Sequence, residues 1–453
     1  PSSWPLPAAS RAESASVPRT DPIVFSLNEK STCVVGEAHD TRRDANRIRA
    51  AKDEHMNATR TVVTTEVGIV GGGPAGLMLS HLLAKAGIDN IVVEKRDHET
   101  IRTTHRAGIL EHGSVSLLTE SGVDTRVLNE GHRHDGIDLR FGGESHRIDF
   151  RDLVGESVWL YPQNEVFVDL AASRERDGGD VRYSVCDTEV LDITTDTPKI
   201  RFTESDGTPV EIRCRILVGA DGSQSICRKA IPGDVRTDHF IEYPFAWFGI
   251  LTEAPPSAPE LIYARSDHGF ALISQRNESV QRMYFQCDPS EDASTWSEDR
   301  IWDELQRRVD GPDGFELKRG PIFEQMVLPF RSYVCEPMRH GNLFLAGDAG
   351  HTVPPTGAKG LNLALADVRV LFRALDSFFS TGSSDLLDAY SDTALQRVWK
   401  AQNFSYWMTS MLHTREDATP FENKRALGEL AAVVGSRYGQ QYLAEAYTGR
   451  PDR

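Results

Sequence analysis

The 453-residue chain carries 50 Lys and Arg against 67 Asp and Glu, a formal net charge of −17. That balance disfavours nucleic acid or an anionic membrane as the main partner, and no apolar run approaches the length of a membrane-spanning helix. The chain is long enough for a substantial core and two or three domains. Its six cysteines (Cys33, Cys186, Cys214, Cys227, Cys287 and Cys335) show neither CxxC pairing nor zinc-site spacing. They read as thiols of a reducing compartment, so a cytoplasmic location and no bound metal are expected.

Residues 1–65 are rich in Ser, Ala, Arg, Asp and Pro and lack a sustained apolar face, a secretory core or the acid-poor bias of a transit peptide. A disordered extension is expected there. From 66 to about 126 the pattern runs strand, helix, strand, helix, which predicts a parallel sheet with right-handed crossovers. A helix over 161–176 follows, then an antiparallel β-meander over 181–214 and a return to the parallel sheet at 216–219. Short β-runs at 246–251, 260–264, 269–274 and 282–286, with a helix near 298–308, predict an antiparallel sheet covered on one face. Helical stretches at 363–378, 386–412 and 424–446 close the chain. Trp399, Phe404, Trp407 and Met408 lie in the second of them and read as core packing in preference to a dimer face. The fold class is therefore α/β, with a Rossmann-like parallel sheet and meander, a separate antiparallel sheet and a C-terminal helical region.

Three glycine-punctuated strand ends carry the functional signal. In VGIVGGGPAGLMLSHLLAKAG, Gly71, Gly73 and Gly76 have GxGxxG spacing directly after a strand and before a helix, and Glu94 closes the next strand where a ribose-binding acid is expected. In RCRILVGADGSQSICR a second strand breaks at Asp221-Gly222. In LFLAGDAGHTVPPTGAKGLN a third runs into Gly347-Asp348 and a Pro/Gly-rich turn that opens a helix. Glycine lets backbone approach a ligand, Asp348 offers a carboxylate to sugar-like hydroxyls, and the new helix presents free N–H groups to negative charge. Separated by long stretches of chain, the three ends suggest one pocket at the carboxyl edge of a sheet.

Together these segments resemble the FAD-dependent aromatic hydroxylases (class A flavoprotein monooxygenases). PPTGAKGLN, LIYARSDHGFALISQR and AEAYTG resemble most closely the branch acting on 4-hydroxybenzoate, over roughly residues 66–449. The resemblance implies a FAD-binding domain from 66–240 and 335–375, a substrate-binding domain from 241–334, and a helical region from 376–453. Such chains usually begin near Met56, so the residues upstream would come from an early start or a processed leader.

The implied chemistry needs reduced flavin, oxygen activated at its C4a carbon, and an electron-rich ring close by, with water excluded. By motif match the resemblance places the substrate carboxylate on Ser274, Arg276 and Tyr284, a set in which a forked cationic donor is completed by two hydroxyls. It places proton relay on Tyr263, Tyr447 and His134, the last with an intrinsic pKa near 6.5 suited to passing the proton to solvent. Pro355 would direct its carbonyl to the ring, and Trp247 would stand near it, although a tryptophan there reads equally as core. For FAD the matches are Arg106, Gln163 and Arg282, with Gly360, Leu361 and Asn362 at the start of the late helix, besides Gly71, Gly73, Gly76, Glu94, Asp221 and Asp348.

Departures fall on the nicotinamide side, where Thr104 and Gln224 replace a basic residue and a histidine common in the family, while Arg228 and Arg331 keep its basic character. Lys95 and Arg96 lean toward NADPH, but Asp97 and Glu99 would repel a 2′-phosphate. The expected activity is conversion of 4-hydroxybenzoate to 3,4-dihydroxybenzoate with NADPH or NADH and O2, in a homodimer. A different para-substituted benzoate, such as 4-aminobenzoate, and a non-catalytic flavin-binding redox sensor are the alternatives.

Overall fold

The computed structural model describes residues 60–104 and 108–449. Val67–Val70, Asn90–Val93 and Ile216–Gly219 are short apolar strands buried on both faces, the pattern that selects a parallel sheet. They lie in a six-stranded sheet ordered Arg339–His340, Leu343–Leu345, Ile216–Gly219, Val67–Val70, Asn90–Val93, Asp180–Arg182. All neighbours in it are parallel except the first pair. Val70, Gly219 and Leu345 stand in register, so the three glycine-punctuated strand ends open side by side. The predicted composite edge is what forms.

The helix Pro74–Lys85 begins directly after the first of these ends, with Pro at its first turn. Gln163–Arg176 packs beside it, two residues shorter at its start than the sequence suggests because Pro162 stands at the N-cap. The meander is Cys186–Leu191, Lys199–Thr203 and Pro209–Arg213, antiparallel throughout. Residues 61–64, which the sequence reading assigns to a disordered extension, are instead a strand. Thr61–Thr64 pairs in parallel with Pro209–Arg213, a partner some 150 residues away that no local pattern announces. The rest of the expected extension, residues 1–59, lies outside the described residues.

The antiparallel sheet has eight strands, ordered His351–Thr352, Ile322–Glu336, Thr237–Glu253, Val280–Cys287, Gly269–Gln275, Leu261–Ser266, Gly136–Phe141, Glu144–Asp149. It is wider than the predicted 241–334. The hairpin 136–149 joins it through a parallel pairing of Gly136–Phe141 with Leu261–Ser266, a crossover that alternation within either segment cannot reveal. One face buries Phe248, Ile250, Ile262, Ile273, Met283 and Phe285 against Ile301, Trp302 and Leu305 of the helix Glu298–Val309. The other face carries Trp247, Tyr263, Phe270, Leu272 and Tyr284 and packs against the C-terminal helices through Phe404, Met408, Met411, Leu430, Leu443 and Tyr447.

Those helices are Gly360–Thr381, Tyr390–Leu412, Pro420–Val434 and Arg437–Thr448. The expected single helix over 424–446 is broken at Gly435-Ser436, where Ser436 accepts from the Gly439 N–H and caps the last helix. Thr419 and Glu422 form a reciprocal capping box at the start of the one before it. Phe404 and Met408 are core, as read from sequence, while Trp399 is exposed and donates to Glu336 at 2.6 Å. Among the described residues no helix is long and apolar enough to cross a membrane, and no group of His, Cys, Asp and Glu could hold a metal ion.

A histidine stands deep in the packing of the inner face. His413 is stacked on Phe245 and Phe270 at centroid distances of 4.6 and 4.4 Å, accepts the Trp247 indole N–H at 2.8 Å on Nε2, and lies 2.9 Å from the Thr409 carbonyl through Nδ1. The indole can only donate, so the proton of the neutral ring sits on Nδ1. Burial pushes its pKa down to about 3. A histidine held below its unfolded value of about 6.5 stabilises the fold above that value and loses the contribution as pH falls toward the folded one, at about 1.4 kcal/mol per unit. Urea unfolding between pH 7 and pH 4 is expected to show His413→Gln losing stability less steeply than the unsubstituted protein below about pH 6.5; parallel curves would contradict it.

Candidate active site

At the shared strand edge the glycines divide the work. Gly71 has φ +111°, and a Cβ there would lie 2.2 Å from the Ala220 carbonyl oxygen, while one on Gly76 would lie 1.9 Å from the Gly71 oxygen. Both are required by close packing of strand ends and helix. A Cβ on Gly73 would meet nothing within 4 Å. Gly73 is the N-cap of Pro74–Lys85, which has no side-chain cap, so the first N–H groups of that helix point to open space suited to a pyrophosphate. Glu94 is buried, accepting the Gly72 N–H at 2.7 Å on one oxygen and the Arg96 N–H and Nε at 3.0 and 3.1 Å on the other. Arg96 is thereby committed to Glu94, Asp97 caps the helix His98–Thr103, and Glu99 pairs with Arg102.

Asp221 spends its carboxylate locally, accepting from Ser225 Oγ at 2.6 Å and from the Ile226 and Cys227 N–H groups at 2.7 and 3.3 Å. It holds the Asp-Gly turn in shape. Gly347, at φ +61°, turns the third strand end, and Asp348 beside it is exposed. The turn is held by Asp367, whose Oδ2 accepts the Gly347 N–H at 2.9 Å and lies 2.6 Å from His351 Nε2. Burial works to lower the His351 pKa, and the adjacent Asp367 carboxylate outweighs it and leaves the pKa raised. Gly360 opens the late helix without a side-chain cap, and a Cβ there would meet nothing. Leu361 is half-buried against the Rossmann core. Asn362 is buried: its Oδ1 accepts the Glu111 N–H at 3.0 Å and Ser114 Oγ at 2.7 Å, and its Nδ2 donates to the Ile109 and Ala358 carbonyls. Gln163 starts its helix, half-buried. Arg106 lies outside the described residues.

On the inner face of the large sheet, register brings the predicted substrate set together. Tyr263 stands opposite Leu272, Leu272 opposite Tyr284, and Tyr284 opposite Gly249. The Tyr284 ring lies on Gly249, where a Cβ would come within 2.7 Å of it. Two residues along each strand, about 7 Å away on the same face, Ser274 pairs with Arg282. Ser274 Oγ donates to the Arg282 carbonyl at 2.6 Å, so receiving an anion means rotating that proton away. Arg282 is buried, its guanidinium carbon 5.3 Å from the Tyr284 ring centroid and its Nη1 without a partner among the described residues. Burial, then the neighbouring Arg282 charge, lowers the pKa of Arg276. Two part-buried guanidinium groups at close range call for an anion.

The Tyr263 and Tyr447 hydroxyls are 2.7 Å apart and fully buried, although 184 residues separate them. Burial raises both pKa values, so the pair is neutral around pH 7. His134 sits on the strand His132–His134 opposite Val158. It is 2 % exposed, and neither ring nitrogen has a partner among the described residues. Burial pushes its pKa down to about 4, not the 6.5 expected of a free ring, so its imidazole is neutral in this state. Pro355 is half-buried, and its carbonyl accepts the Ala358 N–H at 2.9 Å, closing the turn before the late helix. Trp247 is core, at 4.8 Å from the Tyr284 ring and bonded to His413.

Comparison with known proteins identifies the family. The FAD binding domain family matches residues 64–405. Over 388 residues the chain is 45% identical to a p-hydroxybenzoate hydroxylase of Acinetobacter baylyi, covering 85% of this chain and 96% of that protein. This chain belongs to the FAD-dependent aromatic hydroxylases. It is also 28% identical to a dialkyldecalin synthase of Streptomyces rugosporus, over 81% of this chain and 75% of the other. The solved p-nitrophenol 4-monooxygenase of Pseudomonas putida has the same fold, with a TM-score of 0.71 at 18% identity, over 86% of this chain and 99% of that one.

The hydroxylase is thus a flavin monooxygenase with FAD as cofactor and NAD(P)H as co-substrate. The residues present fit FAD: an uncapped helix start behind Gly73 and a buried acid at Glu94 suit a dinucleotide, Gly360 leaves open space at the start of the late helix, and Arg282 is buried with an unused donor.

A buried ion pair beside this site is absent from the sequence reading. Lys359 Nζ, 4 % exposed, lies 2.6 Å from Glu111 Oε1 and donates to the Tyr447 carbonyl at 2.8 Å. Arg397 reaches the other Glu111 oxygen at 3.1 Å. Lys359 stands inside the motif PPTGAKGLN, but its partner is 248 residues earlier and a lysine between small residues reads as surface. Burial lowers its pKa and Glu111 raises it, with burial the larger effect. Removing one partner of such a pair costs about 3–5 kcal/mol. Lys359→Met is expected to lower stability by about 3 kcal/mol, somewhat relieved by Arg397, and to weaken retention of FAD, measured by unfolding and by flavin absorbance after gel filtration. A variant as stable as the parent would show the pair to be dispensable.

Proposed function

We propose that this hydroxylase converts 4-hydroxybenzoate to 3,4-dihydroxybenzoate. The observation that carries the reading is the buried Tyr263–Tyr447 hydroxyl pair sharing a sheet face with Ser274, Tyr284 and Arg282. Ser274 stands two residues along its strand from Leu272, the residue that faces Tyr263, so an anion contact and a phenol contact share one face about 7 Å apart along the backbone.

Arg276, Ser274 and Tyr284 take the carboxylate, Arg276 as a fork and the others as hydroxyl partners. The ring stands over the inner face, with Trp247 supporting Tyr284 from behind and the Pro355 turn closing the flavin side. Tyr263 meets the phenolic oxygen. One hydroxyl of the pair always donates to the other, so a proton taken from the substrate moves by shifting along two matched oxygens, with little mismatch in pKa between them. His134 is the next member of the relay and, being neutral, can accept. Gly71, Gly73, Gly76, Glu94, Arg106, Gln163, Asp221, Asp348 and Gly360–Asn362 would hold FAD, with Arg282 against its ring. When bound, FAD takes reducing equivalents from NAD(P)H and activates O2 for transfer to the ring. Burial of the tyrosines and the surrounding aromatic wall excludes water. The working unit in this reading is a homodimer in the cytoplasm.

Purified protein given FAD, 4-hydroxybenzoate and either NADPH or NADH is expected to form 3,4-dihydroxybenzoate, followed by chromatography; oxidation of the nicotinamide without any catechol would overturn the assignment. Tyr447→Phe keeps the ring and removes the second oxygen of the relay. It is expected to lower kcat by about 10²-fold, the usual share of positioned acid–base groups, with little change in the dissociation constant of 4-hydroxybenzoate read from the flavin spectrum.

A further inference from the structure

Arg276 belongs to the substrate sheet, just past the strand Gly269–Gln275, yet its side chain is held from the other domain. Its Nη2 donates to Asn164 Oδ1 at 2.7 Å, across 112 residues of sequence. Asn164 is the second residue of the helix Gln163–Arg176, next to Gln163. Its amide is oriented from both ends. Nδ2 donates to Glu165 Oε1 at 3.0 Å, and the reverse orientation would set an amide N–H₂ against a guanidinium that can only donate. Glu165 is in turn paired with Arg126 at 2.9 Å, and Arg126 reaches Asp169, which accepts from the Tyr161 hydroxyl at 2.7 Å. A chain of bonded side chains thus runs from the Rossmann half to the guanidinium.

We infer that Asn164 is the positioning residue that aims Arg276 at a carboxylate and, by being neutral, leaves its charge for the substrate. The inference rests on the reading that Arg276 receives the substrate carboxylate. The guanidinium has five N–H donors, and among the described residues its side chain makes one hydrogen bond, the one to Asn164. A neutral acceptor fixes the fork and keeps the remaining donors for an anion. A carboxylate in the same place would form an ion pair with Arg276 and repel the incoming acid. Arg276 lies under the opposing influences of the Arg282 charge and of the Glu165 and Glu324 carboxylates, so a further negative charge at position 164, directly on the guanidinium, would weigh against an incoming acid. Asn164 therefore sets specificity between carboxylate and neutral phenols.

The test uses FAD-loaded Asn164→Asp, Asn164→Ala and Arg276→Ala proteins. Binding of 4-hydroxybenzoate and of the neutral 4-hydroxybenzamide is titrated through the flavin spectrum, and FAD retention reports an intact fold. For Asn164→Asp the dissociation constant of the acid is expected to rise about tenfold or more, the scale of a lost charge-assisted bond, while that of the amide changes little. Asn164→Ala is expected to weaken the acid less than Asn164→Asp does, because it frees the fork without adding a competing charge. If both ligands weaken equally in Asn164→Asp, or neither does, while Arg276→Ala loses the acid, the role of Asn164 is refuted and the carboxylate reading stands. If Arg276→Ala binds the acid as well as the parent protein does, the carboxylate reading itself fails.

Discussion

The buried ammonium of Lys359 joins three parts of the chain that would otherwise have no reason to meet. It sits on the turn leading into the late helix, ion-pairs with Glu111 of the Rossmann half, and caps the carbonyl of Tyr447 on the last helix. Three residues on, Asn362 bonds to Ser114, the Glu111 N–H and the Ile109 carbonyl. Desolvating a lysine and a glutamate is costly, and it is tolerated only where each charge has several fixed partners. Those partners leave the turn little freedom. The turn before the late helix and the helix that carries Tyr447 are therefore set by the same bonds.

From that junction the two large sheets present different surfaces. The parallel sheet contributes an edge where backbone can approach an anionic cofactor, since Gly73 has room that Gly71 and Gly76 lack. The antiparallel sheet contributes a face on which strand register sets Tyr263, Tyr284, Ser274 and Arg282 on the same side, successive same-face residues of a strand being about 7 Å apart. Tyr263 finds Tyr447 only because the C-terminal helices lie over the inner face, and Arg276 finds Asn164 only because the helix Gln163–Arg176 begins beside the antiparallel sheet.

The electrostatics follow from burial more than from net charge. A chain at −17 keeps two arginines part-buried near a face otherwise made of aromatic rings, which is where an aromatic acid gains most from being charged. Its buried histidines go the opposite way. His134 and His413 are held neutral, at about 4 and about 3, the first with both nitrogens unpartnered among the described residues and the second locked between an indole and a carbonyl. His351, buried as deeply but beside Asp367, is raised instead. The chemistry of each ring is decided by its neighbour.

The sequence by itself determined the Rossmann strands, the three glycine turns, the meander and the antiparallel character of most of the second sheet, because each is announced by local periodicity or a short motif. Tertiary structure alone decided the pairing of 61–64 with the meander, the recruitment of 136–149 to the substrate sheet, and the break at Gly435-Ser436. It also decided that Lys359 and Glu111 are buried together, that Asn164 holds Arg276, and that His134 loses its ordinary pKa. Each of these depends on a partner 100 or more residues away or on the loss of water around a polar group, and neither is written in a residue's immediate neighbours. Ser436 is the exception, a local cap hidden inside an otherwise continuous helical pattern.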